Sequence, residues 1–422
     1  MSRIWTLWWL AFGAVASVAC TVSSKAAGGV WLALVLLGLG AAFERSPRAK
    51  PPAGADHGHA LWASAVFLGV CALALGLRSV GMLHWGDHWN ERHAELRLLF
   101  MAVAVWVGVG KGWFDGLALL THGFALACLL GWLHVWRVGR EHLTIHPIAW
   151  AVGVALLSIW LLHSALWRAE KGWHRWFWLL GGVCGVLAVL SSQSRGAFGV
   201  VLWWLAVLLL QAWASRRQGA ALTSRAHVAA VLGLFCALAL ALWGTGLWQR
   251  PAAVLQQAVT EFEMSQTNTE AASETSFGAR LYMWQRAVPA VAQAPVWGYG
   301  QEGRRELIHQ WGRDVDSHVV QSLGHAHNQY LNDLLDNGVW GLASGLTYVL
   351  GLGGLALGLI RRGCRFAGAT IGGVVFMHAT ASLSNVNFAH NYYPTVMAVV
   401  VGLALIQLDL KSGHLEQPLF KV

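Results

Sequence analysis

Charge is what this sequence has least of. Asp, Glu, Lys and Arg make up 12% of its 422 residues, where soluble domains carry about 25%, which argues against a soluble globular chain. Paired cysteines are missing as well. Cys20, Cys71, Cys128, Cys184, Cys236 and Cys364 contain no CxxC, and five of them lie inside apolar runs. They read as small packing residues rather than a disulfide framework or a metal knuckle. Ser-Val-Ala-Cys20 approaches a lipoprotein cleavage site, but Ser17 stands where Leu is expected, so the first apolar run is read as a retained span. A formal charge of +9 invites a nucleic-acid reading, yet the basic residues are scattered singly and no long basic block or nucleic-acid motif appears. An internal repeat is also lacking, and the apolar runs hold few charges, Arg78 being the main exception. A transporter or flippase, which often shows repeated halves and ionisable groups at mid-membrane, is therefore the weaker class.

What is present is apolar length. Hydrophobic residues are 56% of the chain, mean hydropathy is +0.50, and 26 tryptophans suit membrane interfaces. A span needs about 20 mostly apolar residues. Twelve stretches meet that description, at roughly 4–22, 27–43, 61–83, 97–111, 113–134, 148–166, 176–192, 197–214, 226–247, 339–360, 366–383 and 392–409. With the N-terminus inside, the short cytoplasmic connections hold 16 Lys and Arg against 7 on the opposite face. By the positive-inside rule both termini are cytoplasmic. The expected fold is all-α: a polytopic membrane protein of about twelve transmembrane helices with one long periplasmic loop containing short helices. Residues 1–247 form the first nine spans, 248–338 the loop, and 339–422 the last three spans and a tail.

That loop carries ten of the chain's 20 acids. Residues 252–263 and 278–288 read as short helices, and Gln266–Gly278, rich in Ser, Thr and Asn, as mobile. The loop closes on His325-Ala-His-Asn-Gln-Tyr-Leu-Asn-Asp-Leu-Leu-Asp-Asn-Gly338, where Leu331, Leu334 and Leu335 have helical spacing and Asn337-Gly338 is a helix-stopping pair. His327 therefore begins a helix. A surface histidine is the ordinary fate of such a residue. A zinc ligand needs partners, and His309 and His318 lack a metal spacing. A general base suits an imidazole, which titrates near neutrality, and a helix N-terminus keeps it unprotonated.

Two arginines are candidates for an anion. Arg195, in Ser-Gln-Ser-Arg-Gly-Ala at the outer end of the seventh span, either snorkels or offers a bidentate fork to a phosphate. Arg280, in Ser276-Phe-Gly-Ala-Arg-Leu-Tyr-Met-Trp-Gln-Arg, is a solvated surface residue or a second phosphate contact, and Pro289 lies just beyond that helix. In Trp297-Gly-Tyr-Gly300 the glycines read as conformational. A rival metal site is His84, Asp87, His88 and Glu91, at helical spacing after the third span. Asp314-Val-Asp316 is the single DxD.

His327-Asn-x-Tyr-Leu followed by Asn337-Gly-Val-Trp-Gly-Leu, after a long outer loop, resembles the O-antigen ligase and polymerase superfamily, membrane glycosyltransferases of the GT-C type. Ser194-Arg195-Gly196 and Arg280 are similar to its two arginine positions. The topology covers the chain; the motifs cover about thirty residues. Size, span number and the single late loop are most similar to the lipopolysaccharide O-antigen ligases. The resemblance implies a bacterial inner-membrane enzyme of lipopolysaccharide biosynthesis, inverting and metal-independent, which argues against Asp314 and Asp316 as ligands. The donor would be undecaprenyl-diphosphate-linked O-antigen and the acceptor the lipid A-core oligosaccharide. His327 would be the base, Arg195 and Arg280 would bind the diphosphate, and Asn328 and Tyr330 would shape the site; His325 is not carried over. The polymerase and the protein O-oligosaccharyltransferase are the alternatives within this superfamily.

Overall fold

The computed structural model describes residues 3–43, 57–87, 93–109, 116–168, 172–217, 225–244, 259–260, 263–264 and 269–410. Every regular element among them is a helix. The first nine are α1 (Arg3–Ala19), α2 (Ser24–Ala42), α3 (His57–Trp85), α4 (His93–Gly108), α5 (Leu117–Val138), α6 (Pro147–Trp167), α7 (Trp173–Ser191), α8 (Gly199–Arg217) and α9 (Arg225–Gly244). Four short helices follow, α10 (Thr269–Ser273), α11 (Ser276–Gln293), α12 (Gly300–Asp314) and α13 (His318–Gln321). The chain ends in α14 (Gln329–Arg361), α15 (Arg365–Ser382) and α16 (Tyr392–Leu410).

Each of the twelve apolar stretches is a helix. Seven of these are long and apolar enough to cross a membrane among the described residues, and shorter apolar helices occur at Ile4–Ala19, Val228–Leu240 and Tyr392–Leu408. This is a membrane protein by construction. In lipid the backbone must satisfy itself, which helices do. Large apolar side chains such as Trp8, Leu73, Leu83 and Leu209 point outward into no protein contact, while α6 is buried from Ala149 to Ala165 and forms the centre. A helix apolar all round is what such a centre requires. Small residues bring its neighbours close: a Cβ on Gly185 would meet Ser158 at 2.8 Å, and one on Gly181 would meet Ala125 at 2.6 Å.

The polar segment packs at one end of this bundle around a second, smaller core of Ala279, Met283, Ala287, Ile308, Val320 and Leu335. Where the Ser/Thr-rich stretch is described it is anchored: Thr275 caps α11 through Gly278 N–H at 3.0 Å, and Ser317 donates to the Ser273 carbonyl at 3.0 Å. Pro289 lies inside α11, not beyond it. Its missing N–H frees the Gln285 carbonyl, but both residues are exposed, so water can serve that carbonyl. The helix expected over 252–263 falls mostly outside the described residues.

Asn337-Gly338 breaks α14 without ending it. Gly338 takes φ 57° and ψ −142°, Asn337 takes φ −132° and ψ 18°, and helix continues on both sides. The turn at 295–300 fills the break: Val339 N–H donates to Pro295 O at 2.9 Å and Tyr299 N–H to Leu335 O at 2.7 Å. Gly298 and Gly300 have φ of 65° and 70°, and a Cβ on Gly298 would meet the Leu335 carbonyl at 2.6 Å, so their role is conformational.

Candidate functional site

Asn328, not His327, caps the short helix before the break. Its side chain accepts from Tyr330 N–H at 3.0 Å and Leu331 N–H at 3.1 Å. His327 is one residue earlier, with φ 49° and 9% exposure. A non-glycine residue in that conformation costs about 1 kcal/mol, and such strain concentrates at functional positions. Gln193, beside Ser194-Arg195, is held likewise at φ 53°.

The loop carrying His327 is fixed from three sides. From α11, Trp284 Nε1–H donates to the Ala326 carbonyl at 2.8 Å. From α14, Asn332 accepts from Ala326 N–H at 3.3 Å. From α12, Arg304 donates to the Gly324 carbonyl and its Nε reaches Asp336 at 2.5 Å. Asn328 and Tyr330, expected to shape the site, bond the end of α15: Asn328 donates to Leu383 O at 3.3 Å and Tyr330 OH to Ala379 O at 3.2 Å.

Beneath this loop lies a buried charge network. Arg78 of α3 pairs with Asp333, with Asp336 at 3.7 Å and with Glu95 of α4 at 3.8 Å. Gln329 donates to Asp333 at 2.9 Å and accepts from Phe388 N–H at 3.0 Å, so the network also holds the connection ahead of His390. Burying charge costs free energy unless it is paired and hydrogen-bonded, as here. Asp333 and Asp336, three apart on the helix that follows His327, and Arg78, the conspicuous charge in an apolar run, were the sequence signals for it.

Other outer connections converge on the same place. Arg195 sits in a 3-10 turn, Arg195–Ala197, at the end of α7. A Cβ on Gly196 would meet Ser384 Oγ at 2.7 Å, and Ser194 Oγ–H donates to Pro147 O at 3.3 Å, which puts the turn against the start of α6. Arg280 is on α11, one turn before Trp284, and its charge is destabilised by burial first, then by Arg195 and Arg140. No ion pair joins Arg195 or Arg280 to a carboxylate among the described residues.

The His327 and His325 rings meet edge to face, centroids 4.3 Å apart. His390 lies 6.3 Å from His325 and stacks on His146 at 4.2 Å. Burial, then His325, Arg280, His146 and His390, push the His327 imidazole far below its ordinary value, to about 2. Its neutrality thus comes from desolvation and positive neighbours; the helix terminus expected to supply it is not the main cause. His325 comes with the His327 stretch; Arg140, His146, His390 and Arg304 belong to this constellation without a sequence motif, and only packing of distant connections assembles them.

The rival sites are elsewhere. His84 stacks on Trp297 with centroids 4.2 Å apart, and Asp87 follows the end of α3, while His88 and Glu91 lie outside the described residues. Asp314 pairs with Arg286 at 2.7 Å, and Asp316 is in a left-handed turn at φ 51°.

A 106-residue stretch is 29% identical to an uncharacterized protein of Haemophilus influenzae, and that match spans 25% of this chain and 25% of the relative. The O-antigen ligase family model matches residues 180–346. That segment runs from within α7 through Arg195, Arg280 and His327 to the helix beyond the break in α14, and over it the chain is similar to the O-antigen ligase family.

Proposed function

We propose that this chain is a glycosyltransferase that moves a polysaccharide from undecaprenyl diphosphate to the lipid A-core oligosaccharide, with His327 as general base. One observation carries the reading: two arginines near one another, neither paired with an acid among the described residues, beside a buried neutral imidazole at the polar end of a membrane bundle. Unpaired guanidiniums call for an anion, and a lipid diphosphate confined to the membrane is the anion this family's substrates supply.

In the reaction, His327 removes the proton of an acceptor sugar hydroxyl. The oxygen bonds to the donor's anomeric carbon as that carbon's bond to the phosphate oxygen breaks, so the configuration inverts. The diphosphate leaves without a general acid, and Arg195 and Arg280 take up its developing charge. A diphosphate there also offsets the positive field that adds to burial in keeping His327 from accepting a proton. Donor binding thereby prepares the base for its task.

Under this reading all twelve apolar helices cross the inner membrane, residues 248–338 are periplasmic and both termini are cytoplasmic. The 16-to-7 bias of Lys and Arg supports that orientation.

The test is ligation by purified protein with lipid-linked donor and core acceptor, in the presence of a chelator. Wild type should be active and His327→Ala inactive with an unchanged thermal unfolding profile. Near-normal activity of that variant removes His327 as base; loss of wild-type activity in chelator, restored by a divalent ion, moves the site to His84, Asp87, His88 and Glu91. In cells, lipopolysaccharide capped with a single repeat on deletion of the protein would mean polymerase instead of ligase.

A further inference from the structure

Beyond the contacts assigned above, the site holds an imidazole pair that the proposed reaction does not use. His146 ends the connection into α6 and His390 the connection into α16, and their rings stack 4.2 Å apart with planes 18° from parallel. Cationic or neutral basic groups surround the pair. Arg140 acts on His146, while His325 and His93 act on His390. Arg97 of α4 donates to the carbonyl and side-chain oxygens of Asn391, each at 2.9 Å, and Arg140 keeps a contact to Glu141, whose side chain is largely in solvent, at 3.2 Å.

Nitrogen valence is unused in this cluster. His390 Nε2, His325 Nδ1 and His327 Nδ1 are buried and make no hydrogen bond within the protein. Each such group costs about 1–3 kcal/mol when unsatisfied; His390 Nε2 is the one that belongs to the stacked pair, and it marks a place for a ligand oxygen. A positive surround repels a metal cation and favours an oxyanion. Parallel imidazoles about 4 Å apart can offer N–H groups to neighbouring oxygens of one tetrahedral anion. Each can also take up a proton as the anion arrives, which turns a neutral bond into a charge-assisted one.

We propose that His146, His390 and Arg140 form a second oxyanion subsite, adjoining the Arg195–Arg280 position, that binds a phosphate group. The inference rests on the reading of those two arginines as the donor's diphosphate contacts. Two substrates of the proposed reaction can supply the group: the donor's own diphosphate, which would then be shared across both positions, or a phosphate ester on the acceptor glycolipid.

The purified full-length protein in detergent is titrated with inorganic pyrophosphate at about pH 6 and about pH 8. The variants are the double His146→Ala/His390→Ala, His390→Gln and Arg280→Ala. In the double variant affinity should fall about tenfold at the lower pH and less at the higher, the loss of one charge-assisted contact. His390→Gln keeps an N–H but cannot titrate, so it should match wild type at the higher pH and lose the gain at the lower. Because glutamine is a mild replacement, it decides the matter even where the double variant unfolds. Unchanged affinity in the histidine variants with loss in Arg280→Ala overturns the subsite and leaves the arginine reading intact. Loss in the histidine variants with no effect of Arg280→Ala keeps the subsite and overturns the arginine reading. Ligation kinetics then separate the sources. A KM increase for the donor assigns the diphosphate. An increase only for acceptor that has not been treated with phosphatase assigns the acceptor's phosphate, and no change in either KM overturns the subsite.

Discussion

Arg304 joins two things that the sequence keeps apart: its guanidinium pairs with Asp336 at 2.5 Å and also donates to the carbonyl of Gly324, which starts the loop holding His325 and His327. Both side chains of the pair are nearly buried, at 5% and 9% exposure. Removing one partner leaves an unpaired charge inside, a loss of about 3–5 kcal/mol, whereas replacing both with apolar residues is often far milder. Asp336→Asn and Arg304→Gln should therefore each lower the unfolding temperature more than the double Arg304→Met/Asp336→Leu. All three should lose ligation, because the Gly324 anchor goes in every case with Arg304 or its orientation. A double variant that unfolds like wild type and keeps full activity would show that this anchor does not position the base.

Depressed histidines make stability depend on pH with a definite sign. His325, His390 and His327 are held at about 4, about 3 and about 2, against an ordinary 6.5. Below 6.5 the unfolded chain takes up protons that the folded one refuses, so the stability these sites contribute is complete above that pH and is lost as pH falls toward 4. Each contributes at most about 1.4 kcal/mol per pH unit. The apparent unfolding temperature should drop between roughly pH 7 and pH 5, before most carboxylates titrate. His325→Gln/His390→Gln should flatten that slope, and pyrophosphate should flatten it in the wild type. Equal slopes in wild type and the double variant would contradict the assignment.

How much of this was legible follows from what each feature depends on. Apolar length is a local property, so all twelve stretches became helices. The irregularity at Asn337-Gly338 was readable because such turns are local as well, but the pair interrupts the helix instead of stopping it, and Asn328, not His327, supplies the cap. Pro289 was misread because its tolerance depends on which face of α11 meets water. His146, His390 and Arg140 could not be found at all. Nothing near them in the chain distinguishes a loop-end histidine that stacks across the bundle from one that faces solvent. Arg78 was visible as an anomaly, yet its partners Asp333 and Asp336 lie on another helix, and only the packing of α14 along α3 brings them together.

Arginine and lysine should not be equivalent at positions 195 and 280. Lysine keeps the charge but loses the planar fork that fits two phosphate oxygens. Arg195→Lys and Arg280→Lys should raise KM for the donor more than for the acceptor. The alanine variants should also lose about 10²–10³ in kcat, the usual effect of removing one group that stabilises developing charge. Equal deterioration with respect to both substrates would mean that neither arginine contacts the diphosphate.

The break in α14 yields a prediction that needs no substrate. Gly338 has a positive φ of 57°, and a Cβ there would run into the Val296 carbonyl, while the same turn is tied to Leu335 and Val339 by backbone bonds of 2.7 and 2.9 Å. Gly338→Ala must either push the 295–300 turn away or straighten the helix. With φ 57° and ψ −142° this backbone conformation alone costs an alanine about 1–3 kcal/mol, and the collision adds to it. With ψ at −142° the residue lies outside the αL well that asparagine tolerates, so Gly338→Asn meets both difficulties. Straightening would swing the segment with Asn328, Asp333 and Asp336 relative to α3, so Arg78 would lose its partners. Both variants should unfold at lower temperature than wild type and lose ligation. An alanine variant as stable and active as wild type would show that the break is not what aims the His327 loop.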